Sequence, residues 1–541
     1  NNTAVGYYSL GANTTGTQNT AVGSLALDAH TVGQDCTAIG YDALGANTVA
    51  SHNTAVGSFT LSANTTGDNN TALGRASLNN NTASNNTGVG YSSLVLNTTG
   101  ANNPAVGSLA LDANTTGSEN VAIGDDALGA NTTASTNTSV GYHSMFSNTI
   151  GANNVALGGA ALLNNTSASN NTALGKGAMQ ANTTGASNVA VGSLALDANT
   201  TGERNTALGF DAIGANSTGG KNVAVGAYAL DANTTANDNV AVGDASLTDN
   251  TTGNQNVAVG RLALHRNTTA SNNVGIGYNA LFANTTGTNN TALGSLALDA
   301  NTTASHNTAI GNQSIGANTT GEANTALGQG TLSSNTTASN NTAIGRQALN
   351  QNTTGTQNTA VGAYALDAST TGSYNSGFGY LSLSANNTGI QNSAFGWASL
   401  IKNTTGSNNV AVGFDSLGEN TTANNNTAVG FEALTLNTTG SDNVAIGFRS
   451  LDANTTASNN TAVGYAALGA NTTATNNSGI GNLALTLNTT GAGNTAVGSQ
   501  ALYSNTTGSN STAVGYNALL SNTSVGGHTA VGTSALSSNT T

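Results

Sequence analysis

Apolar and polar positions along the chain recur with a period of 17 residues. The glycine of the motif Asn-Thr-Ala-Val-Gly appears in 32 copies from Gly6 to Gly532, and the only step of 16 lies between Gly74 and Gly90. With the first Asn as position 1, the consensus is Asn-Thr-Ala-Val-Gly-x-x-Ala-Leu-x-x-Asn-Thr-Thr-Gly-x-x, as in residues 290–306. Position 4 is always apolar, position 9 is nearly always Leu, positions 3 and 8 are small, and positions 1 and 12 are almost always Asn. Such strict periodicity indicates a repeat architecture and not a disordered polar tract.

The repeat favours short parallel strands over helices or hairpins. Seventeen residues cannot hold a helix pair, and two recurrent glycines would break a long helix. Thr-Ala-Val alternates β-branched and small residues, which suits a strand. The sequence contains no Asn-Gly or Asp-Gly step, the strongest hairpin signal. We therefore predict an all-β fold, a parallel β-solenoid (β-roll) of about 32 coils that forms one array over residues 1–541.

Each predicted coil has two strands, one turn at the motif glycine and another at Asn-Thr-Thr-Gly, with position 4 and position 9 in the core. Equivalent residues then stack about 4.8 Å apart along one axis of a rod, with Val22, Ile39 and Val56 in one column. The Asn columns have two interpretations. An Asn amide can donate to and accept from the same residue one coil away, or Asn is there because it tolerates a left-handed turn.

The short copy between Gly74 and Gly90 tests this register. Loss of a residue from a strand would turn every later side chain to the wrong face. The pattern nevertheless continues, with Val106 and Leu111 at the predicted core positions. The missing residue is therefore predicted to come from the turn at residues 81–86, without a break in the solenoid.

Composition and charge exclude several classes of partner. Only 6% of residues are charged, the net charge is −14, and the nine Lys and Arg do not cluster, so nucleic acid is not an expected partner. No apolar run is long enough to cross a bilayer, and we expect no membrane contact by this segment. The chain begins and ends within repeats and without caps, which suggests a piece excised from a longer protein. Cys36 is the only cysteine, so no intrachain disulfide forms.

The side chains that usually carry chemistry are scattered. The six His occupy different repeat positions with no metal-ligand spacing and are interpreted as single surface substitutions. Asp recurs at position 10 and is interpreted as a solvated turn residue: Asp28, Asp112, Asp197, Asp231, Asp299, Asp367 and Asp452. No phosphate-binding glycine motif opens a helix, and no Ser has a fixed His and Asp partner. We expect no catalytic, cofactor or metal site, and no enzyme.

Aromatic residues gather at positions 6 and 7. The members are Tyr41, Phe210, Tyr278, Trp397, Phe414, Phe431, Phe448 and Tyr465. The run from Trp397 to Tyr465 is the candidate site, a stripe on the surface or at a subunit interface, with glycan binding as the alternative. Phe414, Phe431 and Phe448 come from successive copies and should stack directly.

The thin core predicts self-association. One Val and one Leu per coil contribute roughly 1.5–3 kcal/mol each, whereas ordering the backbone costs about 1–2 kcal/mol per residue. The small residues at positions 3 and 8 also suggest close approach by another backbone. Both points favour a homo-oligomer about a symmetry axis.

The motif Asn-Thr-Ala-Val-Gly-x-x-Ala-Leu resembles the head repeat of trimeric autotransporter adhesins, a YadA-like left-handed parallel β-roll with the motif Ser-Val-Ala-Ile-Gly. The stretch from Asn120 to Gly124 comes closest. The longer unit at residues 465–477 also resembles repeats of bacterial surface and phage tail-fibre proteins that carry an endosialidase-type chaperone. The resemblance covers the whole chain, although the adhesin repeats are usually shorter. It implies a left-handed roll in a homotrimer.

The expected function is structural. The leading hypothesis is the shaft or head of an extracellular fibre, a bacterial surface adhesin or appendage that attaches to a host or prey cell surface or glycan. A phage or injection-particle tail fibre is the alternative of the same shape. An ice-binding solenoid is an alternative of another class, but adjacent Thr side chains point to opposite faces of a strand, which disfavours a flat Thr array.

Overall fold

The chain folds as a parallel β-solenoid in which each 17-residue coil contributes one three-residue strand. The computed structural model describes residues 1–540 and divides the chain into two compact units, Asn1–Asn272 and the part from Asn273 onward. Residues 1–540 contain no helix, and hence none long and apolar enough to span a membrane. The predicted fold class is confirmed.

Sixteen strands belong to the first unit. They are β1 (Thr3–Val5), β2 (Thr20–Val22), β3 (Thr37–Ile39), β4 (Thr54–Val56), β5 (Thr71–Leu73), β6 (Thr87–Val89), β7 (Pro104–Val106), β8 (Val121–Ile123), β9 (Thr138–Val140), β10 (Val155–Leu157), β11 (Thr172–Leu174), β12 (Val189–Val191), β13 (Thr206–Leu208), β14 (Val223–Val225), β15 (Val240–Val242) and β16 (Val257–Val259).

The second unit has the other sixteen described strands. They are β17 (Val274–Ile276), β18 (Thr291–Leu293), β19 (Thr308–Ile310), β20 (Thr325–Leu327), β21 (Thr342–Ile344), β22 (Thr359–Val361), β23 (Ser376–Phe378), β24 (Ser393–Phe395), β25 (Val410–Val412), β26 (Thr427–Val429), β27 (Val444–Ile446), β28 (Thr461–Val463), β29 (Ser478–Ile480), β30 (Thr495–Val497), β31 (Thr512–Val514) and β32 (Thr529–Val531).

Within each unit, every strand pairs in parallel with the strand of the next coil. Val22 lies opposite Ile39, and Ile39 lies opposite Val56, so residues 17 apart form the predicted column. The pairing between coils leaves no hairpin among these strands. The 17-residue period is therefore the coil-to-coil register.

The predicted second strand of each coil is wrong. Positions 7, 9 and 17 have left-handed backbones, as in Leu25 (φ 57°), Leu27 (φ 51°) and Asp35 (φ 58°), so positions 6 to 11 form turns. These turns still bond from coil to coil. The Leu25 N–H donates to the Tyr7 carbonyl of the preceding coil (2.9 Å), and the Leu27 N–H donates to the Ala43 carbonyl of the next coil (3.0 Å). The ladder thus continues outside the strand without β conformation.

The assignment of position 4 to the core is also wrong. Side chains alternate along the three-residue strand, so position 3 points inward and position 4 points outward. Ala105 is fully buried and its neighbour Val106 is 39% exposed, whereas Leu111 is buried as predicted. The apolar side chain at position 4 therefore faces away from the interior.

Positions 3 and 8 are small because they face each other inside one coil, and not because another chain approaches them. A Cβ added at Gly377, at position 3, would lie 3.0 Å from the Oγ of Ser382 at position 8. Ser139 and Ser144 occupy the same two positions, and the Ser139 hydroxyl donates to the Ser144 carbonyl at 2.8 Å. The interior is too narrow for a Val at position 3.

Position 9 holds the one large apolar side chain inside each coil from Leu27 to Leu519, and it sits on a left-handed backbone. Leu44 is fully buried with φ 53°. A left-handed conformation costs an L-residue roughly 1–2 kcal/mol, and complete burial of a Leu side chain contributes about 1.5–3 kcal/mol. Burial offsets the strain, which explains why an apolar residue occupies a conformation that normally favours Gly or Asn.

The motif glycine is required by both backbone and space. Gly430 has φ 141°, and a Cβ there would collide with the carbonyl oxygen of Gly447 in the next coil. No other residue type fits such a φ without strain. Every copy of the repeat therefore keeps Gly at position 5.

The Asn column at position 12 is an amide ladder. The Asn199 Nδ2 donates to the Asn182 Oδ1 at 2.8 Å and to the Gly202 carbonyl at 3.0 Å, and its Oδ1 accepts from the Asn216 Nδ2 at 2.7 Å. The ladder interpretation is confirmed. The left-handed interpretation is wrong for positions 1 and 12, because the left-handed residue of this turn is at position 17 among the described residues.

The Asn column at position 1 forms a second ladder, between side chain and backbone. The Asn188 Oδ1 accepts the backbone N–H of Asn205 at 2.8 Å, while the Asn188 Nδ2 donates to the Gly202 carbonyl at 2.8 Å. Where Cys36 replaces this Asn, its N–H still donates to the Asn19 Oδ1, and burial raises the pKa of its thiol. Both Asn columns thus satisfy buried polar groups that face the interior.

The short copy loses a turn residue, as predicted. Strands β5 and β6 keep their register, with Leu73 opposite Val89, and Leu78 and Leu94 are both buried. The Asn81 Nδ2 bonds to the carbonyl two residues later, at Ala83, instead of three residues later as in regular copies. The missing residue is therefore position 14, and the columns of positions 4 and 9 continue through the deletion.

Replacement of Asn199 by Leu tests the amide ladder. Leu has a similar size but cannot make the three side-chain hydrogen bonds, and each buried group left without a partner costs about 1–3 kcal/mol. We expect the free energy of local opening of this coil and its two neighbours to fall by at least that amount. Hydrogen exchange measured on peptides from these coils checks it.

Thr201→Ala is the matched control, because Thr201 is exposed in the same coil. It should leave exchange unchanged within about 0.5 kcal/mol. Equal exchange in the Asn199→Leu protein and the wild type would contradict a stabilising ladder.

Candidate functional site

The most extensive candidate interaction surface is the column of position-4 side chains, here called the position-4 stripe. Its members are the last residues of the strands, such as Ile39, Leu73, Leu157, Leu208 and Ile446, and all 32 are Val, Ile, Leu or Phe. Leu73 is 49% exposed and Ile446 is 40% exposed. A continuous apolar stripe of this kind, within each unit, is unusual for the surface of an isolated soluble protein.

Position 2 provides an internal comparison for the stripe. It points to the same outer face of the strand, and it holds Thr, Val, Ser or Pro, as in Thr206, Val223, Ser376 and Pro104. The Thr at position 2 shows that a β-branched polar residue satisfies the strand. Strand propensity alone does not explain why position 4 excludes polar residues.

The predicted aromatic stripe is present in the second unit. Its rings follow the motif glycine at position 6 and stack nearly parallel: Trp397 on Phe414 (4.8 Å), Phe414 on Phe431 (5.0 Å), Phe431 on Phe448 (5.4 Å) and Phe448 on Tyr465 (5.3 Å). Tyr380 extends the stack by one ring, at 6.3 Å from Trp397. The predicted direct stacking of the three Phe is confirmed.

The stacking limits what the aromatic stripe can bind. Each inner ring has both faces against its neighbours, with interplanar angles of 8–9° for Phe414, Phe431 and Phe448, so the exposed part is the ring edge. Sugars and cations are recognised mainly by ring faces. The geometry therefore favours apolar contact along the ridge over stacking on a glycan.

Two ion pairs join neighbouring coils in the same unit as the aromatic stripe. Arg449 pairs with Glu432 at 2.6 Å, and Lys402 pairs with Glu419 at 2.7 Å, each across one coil step. Between 25% and 58% of each of these side chains is exposed, so each pair contributes about 1 kcal/mol or less. The remaining aromatics of the prediction do not extend the stack: Tyr41 and Phe210 each meet a position-7 ring edge-on, and Tyr278 is exposed.

The position-10 aspartates are half-buried, and the interpretation as solvated turn residues is wrong for most of them. Burial raises the pKa of Asp112, and nearby Asp126 raises it further. Asp126 occupies position 7 of the next coil, so the stacking of coils brings a position-7 carboxylate close to one at position 10. The prediction from sequence did not include these pairs, because it considered only aspartates at the same repeat position.

The strongest case is Asp231. Burial, and then the charges of Asp211, Asp197 and Asp249, raise the pKa of Asp231 to about 6. The carboxylate of Asp231 is therefore partly protonated near neutral pH.

The histidines are not all surface substitutions. His30 replaces the position-12 Asn, is fully buried, and its Nε2 lies 2.9 Å from the Gly33 carbonyl, which a regular Asn amide would otherwise contact. His52 lies 3.7 Å from Asp35, and His143 lies 3.3 Å from Asp126. Stacking of coils thus creates His–Asp pairs at a separation of 17 residues that motif searches do not cover.

A scan against protein-family models finds no match for the chain, and a search of curated proteins finds no significant relative.

Replacement of Asp231 by Asn tests the acidic cluster. Because the pKa of Asp231 is higher in the folded state than in the unfolded state, its contribution to the free energy of unfolding is fully present below about pH 4. That contribution is lost as the pH rises through about 6. Asp231→Asn removes this loss. We expect stabilisation at pH 7 on the order of 1 kcal/mol after solvent screening is considered, and almost none at pH 4, measured as the shift of the thermal unfolding midpoint.

Asp238→Asn is the matched control, because it removes the same charge from an exposed site at position 17 of the same coil. It should shift the midpoint little at either pH. An equal shift at pH 4 and pH 7 for Asp231→Asn would contradict the linkage.

Proposed function

We propose that this chain is a non-enzymatic structural segment of an extracellular fibre, the shaft or head of a surface adhesin or appendage, and that copies of it associate side by side through the position-4 stripe. The single observation that supports this most is the stripe itself. All 32 copies keep an apolar residue there although the side chain faces outward.

The position-4 stripe leaves apolar area open for an interface. Eight stripe residues of the first unit are 39–59% exposed, and the other eight are partly buried. Complete burial of a Val or Leu side chain removes about 60–120 Å² of apolar surface, so each of the eight more exposed residues leaves roughly 25–50 Å² open. These eight residues alone offer about 200–400 Å², a quarter to a half of the ~800 Å² that each partner buries in a standard interface. The partly buried members of the stripe and the outward-facing position-2 side chains beside it supply further area.

A second copy of the chain is the partner that fits best. It carries the same column spacing, so side chains of two stripes can interdigitate in register over many coils. Closed symmetry is the usual solution for such identical chains. The resemblance to trimeric adhesin heads supports a homotrimer with a left-handed roll, and it also supports placement at the cell surface.

The resemblance to tail-fibre repeats makes a phage or injection-particle fibre the second candidate, with the same assembly. In either setting the attached target would be a cell surface or glycan. The edge-on aromatic stripe supports apolar packing more than glycan binding within this segment.

Charged residues in the stripe test self-association. The triple variant Leu157→Asp, Leu174→Asp, Leu208→Asp places three carboxylates at an interface that must exclude water. We expect the untagged wild-type chain to form one oligomer, three chains by resemblance, and the variant to lose at least 90% of it at micromolar concentration. Light scattering coupled to size-exclusion chromatography measures the mass.

The control variant Ser167→Asp, Thr184→Asp, Thr218→Asp adds the same charges at exposed position-14 sites of the same three coils. It should keep the oligomer, and circular dichroism should show all three proteins folded. A monomeric wild type, or an assembled stripe variant, would overturn the proposal.

A further inference from the structure

We propose that Asp125, Asp126 and His143 form a binding site for a divalent transition-metal cation of the Zn²⁺ type. The inference does not depend on the proposed function. Among residues 1–540, these three are the only group of His, Cys, Asp or Glu side chains whose ligand atoms converge in this way.

The backbone of two successive coils positions the ligands. Asp126 and His143 both occupy position 7, with φ 55° and 52°, so their side chains leave the coil in the same direction one coil apart. Asp125 precedes Asp126, and its carbonyl accepts the His143 N–H at 3.1 Å. The coil-to-coil ladder thus holds the three backbones in a fixed relation.

The distances suit tetrahedral coordination. The His143 Nε2 lies 3.3 Å from the Asp126 Oδ2, and all three ligand atoms lie within 4.8 Å of one another. With metal–ligand bonds of about 2.0–2.1 Å, tetrahedral Zn²⁺ separates its ligands by about 3.4 Å. The His143–Asp126 pair already has this separation, and the carboxylate of the exposed Asp125 lies within 4.8 Å of both ligand atoms.

Neighbouring rings hold the imidazole in place. The His143 ring stacks on the Tyr142 ring with a centroid distance of 3.8 Å and an interplanar angle of 18°. The Phe146 ring lies on it at a tilt of 34°, with a centroid distance of 5.3 Å. A ligand that is already oriented loses less conformational entropy on binding. These contacts therefore favour metal binding at His143 over a freely rotating surface His.

The donor set selects the class of metal. One imidazole nitrogen with two carboxylate oxygens suits Zn²⁺, Co²⁺ or Ni²⁺. Ca²⁺ takes six to eight oxygen ligands and Mg²⁺ prefers carboxylates with water, so a site with an imidazole and few oxygens does not favour them. Because the ligands belong to two coils, a bound cation would connect these coils.

The chain contains its own comparison site. His52 and Asp35 also lie one coil apart, at position 17, but their ligand atoms are 3.7 Å apart and no third ligand joins them among the described residues. A His–Asp pair that merely attracts cations through charge should behave alike at both places. A coordination site should exist only at His143.

Equilibrium dialysis of the untagged full chain against Zn²⁺ at pH 7.5, with metal measured by mass spectrometry, tests the proposal. We expect one saturable Zn²⁺ per chain that millimolar Mg²⁺ does not displace. His143→Ala and Asp126→Asn should each weaken binding at least about tenfold, whereas His52→Ala should leave both affinity and stoichiometry unchanged.

His143→Gln and Asp125→Asn guard against loss of structure, since both keep the size of the side chain and should also weaken Zn²⁺ binding while circular dichroism stays that of the wild type. Absence of saturable binding, an unchanged affinity in His143→Gln, or an equal loss in His52→Ala would each overturn the proposal.

Discussion

Hydrogen bonding from one coil to the next is the interaction on which the rest of this structure depends. A three-residue strand supplies few backbone bonds, and the interior holds one Leu and two small residues per coil. The ladder is therefore extended by left-handed turn residues, whose N–H groups reach both neighbouring coils, and by two columns of buried Asn amides. In water each such bond contributes only about 0.5–1.5 kcal/mol, but an unpaired buried amide costs more, so every coil must keep its neighbours in register.

The narrowness of the coil has a second consequence. Because the inward-facing position 3 admits only small side chains, the large apolar residue of the strand faces outward, where Leu157 and Leu208 are both more than 40% exposed. The steric limit at position 3 explains the thin interior, but it does not by itself explain the apolar exterior, because position 2 on the same outer face accepts Thr. Self-association through the position-4 stripe follows from the apolar exterior as a proposal, since water is a poor environment for an unbroken row of Val, Ile, Leu and Phe.

Much of the fold follows from sequence, and the errors share one cause. Periodicity alone predicts the parallel register, the stack of Phe414, Phe431 and Phe448, and the loss of a turn residue before Gly90, because each depends only on equivalent residues lying one coil apart. It left the Asn columns with two interpretations, and the side-chain geometry decides for the ladder. The prediction that position 4 faces the interior was wrong. An apolar residue in every copy indicates that the side chain avoids water, but it does not say which surface covers it. The prediction of a second strand was wrong because the Leu at position 9 adopts a left-handed backbone, which the residue type does not indicate. The Asp112–Asp126 and Asp126–His143 pairs join different repeat positions or depend on side-chain direction, so they require the actual geometry of the turns.

Distances between spin labels placed several coils apart would test the central claim most directly. Thr116, Thr218 and Thr252 are exposed position-14 residues of the first unit, and labels can replace them pairwise in chains diluted with unlabelled protein. Six coil steps separate Thr116 from Thr218, and eight separate it from Thr252. At about 4.8 Å per step, double electron–electron resonance should give narrow distributions of the distance between labels, centred at ~29 Å and ~38 Å. A broad distribution, or a separation that does not grow by about 10 Å over the two added coils, would contradict a solenoid held together by coil-to-coil hydrogen bonds.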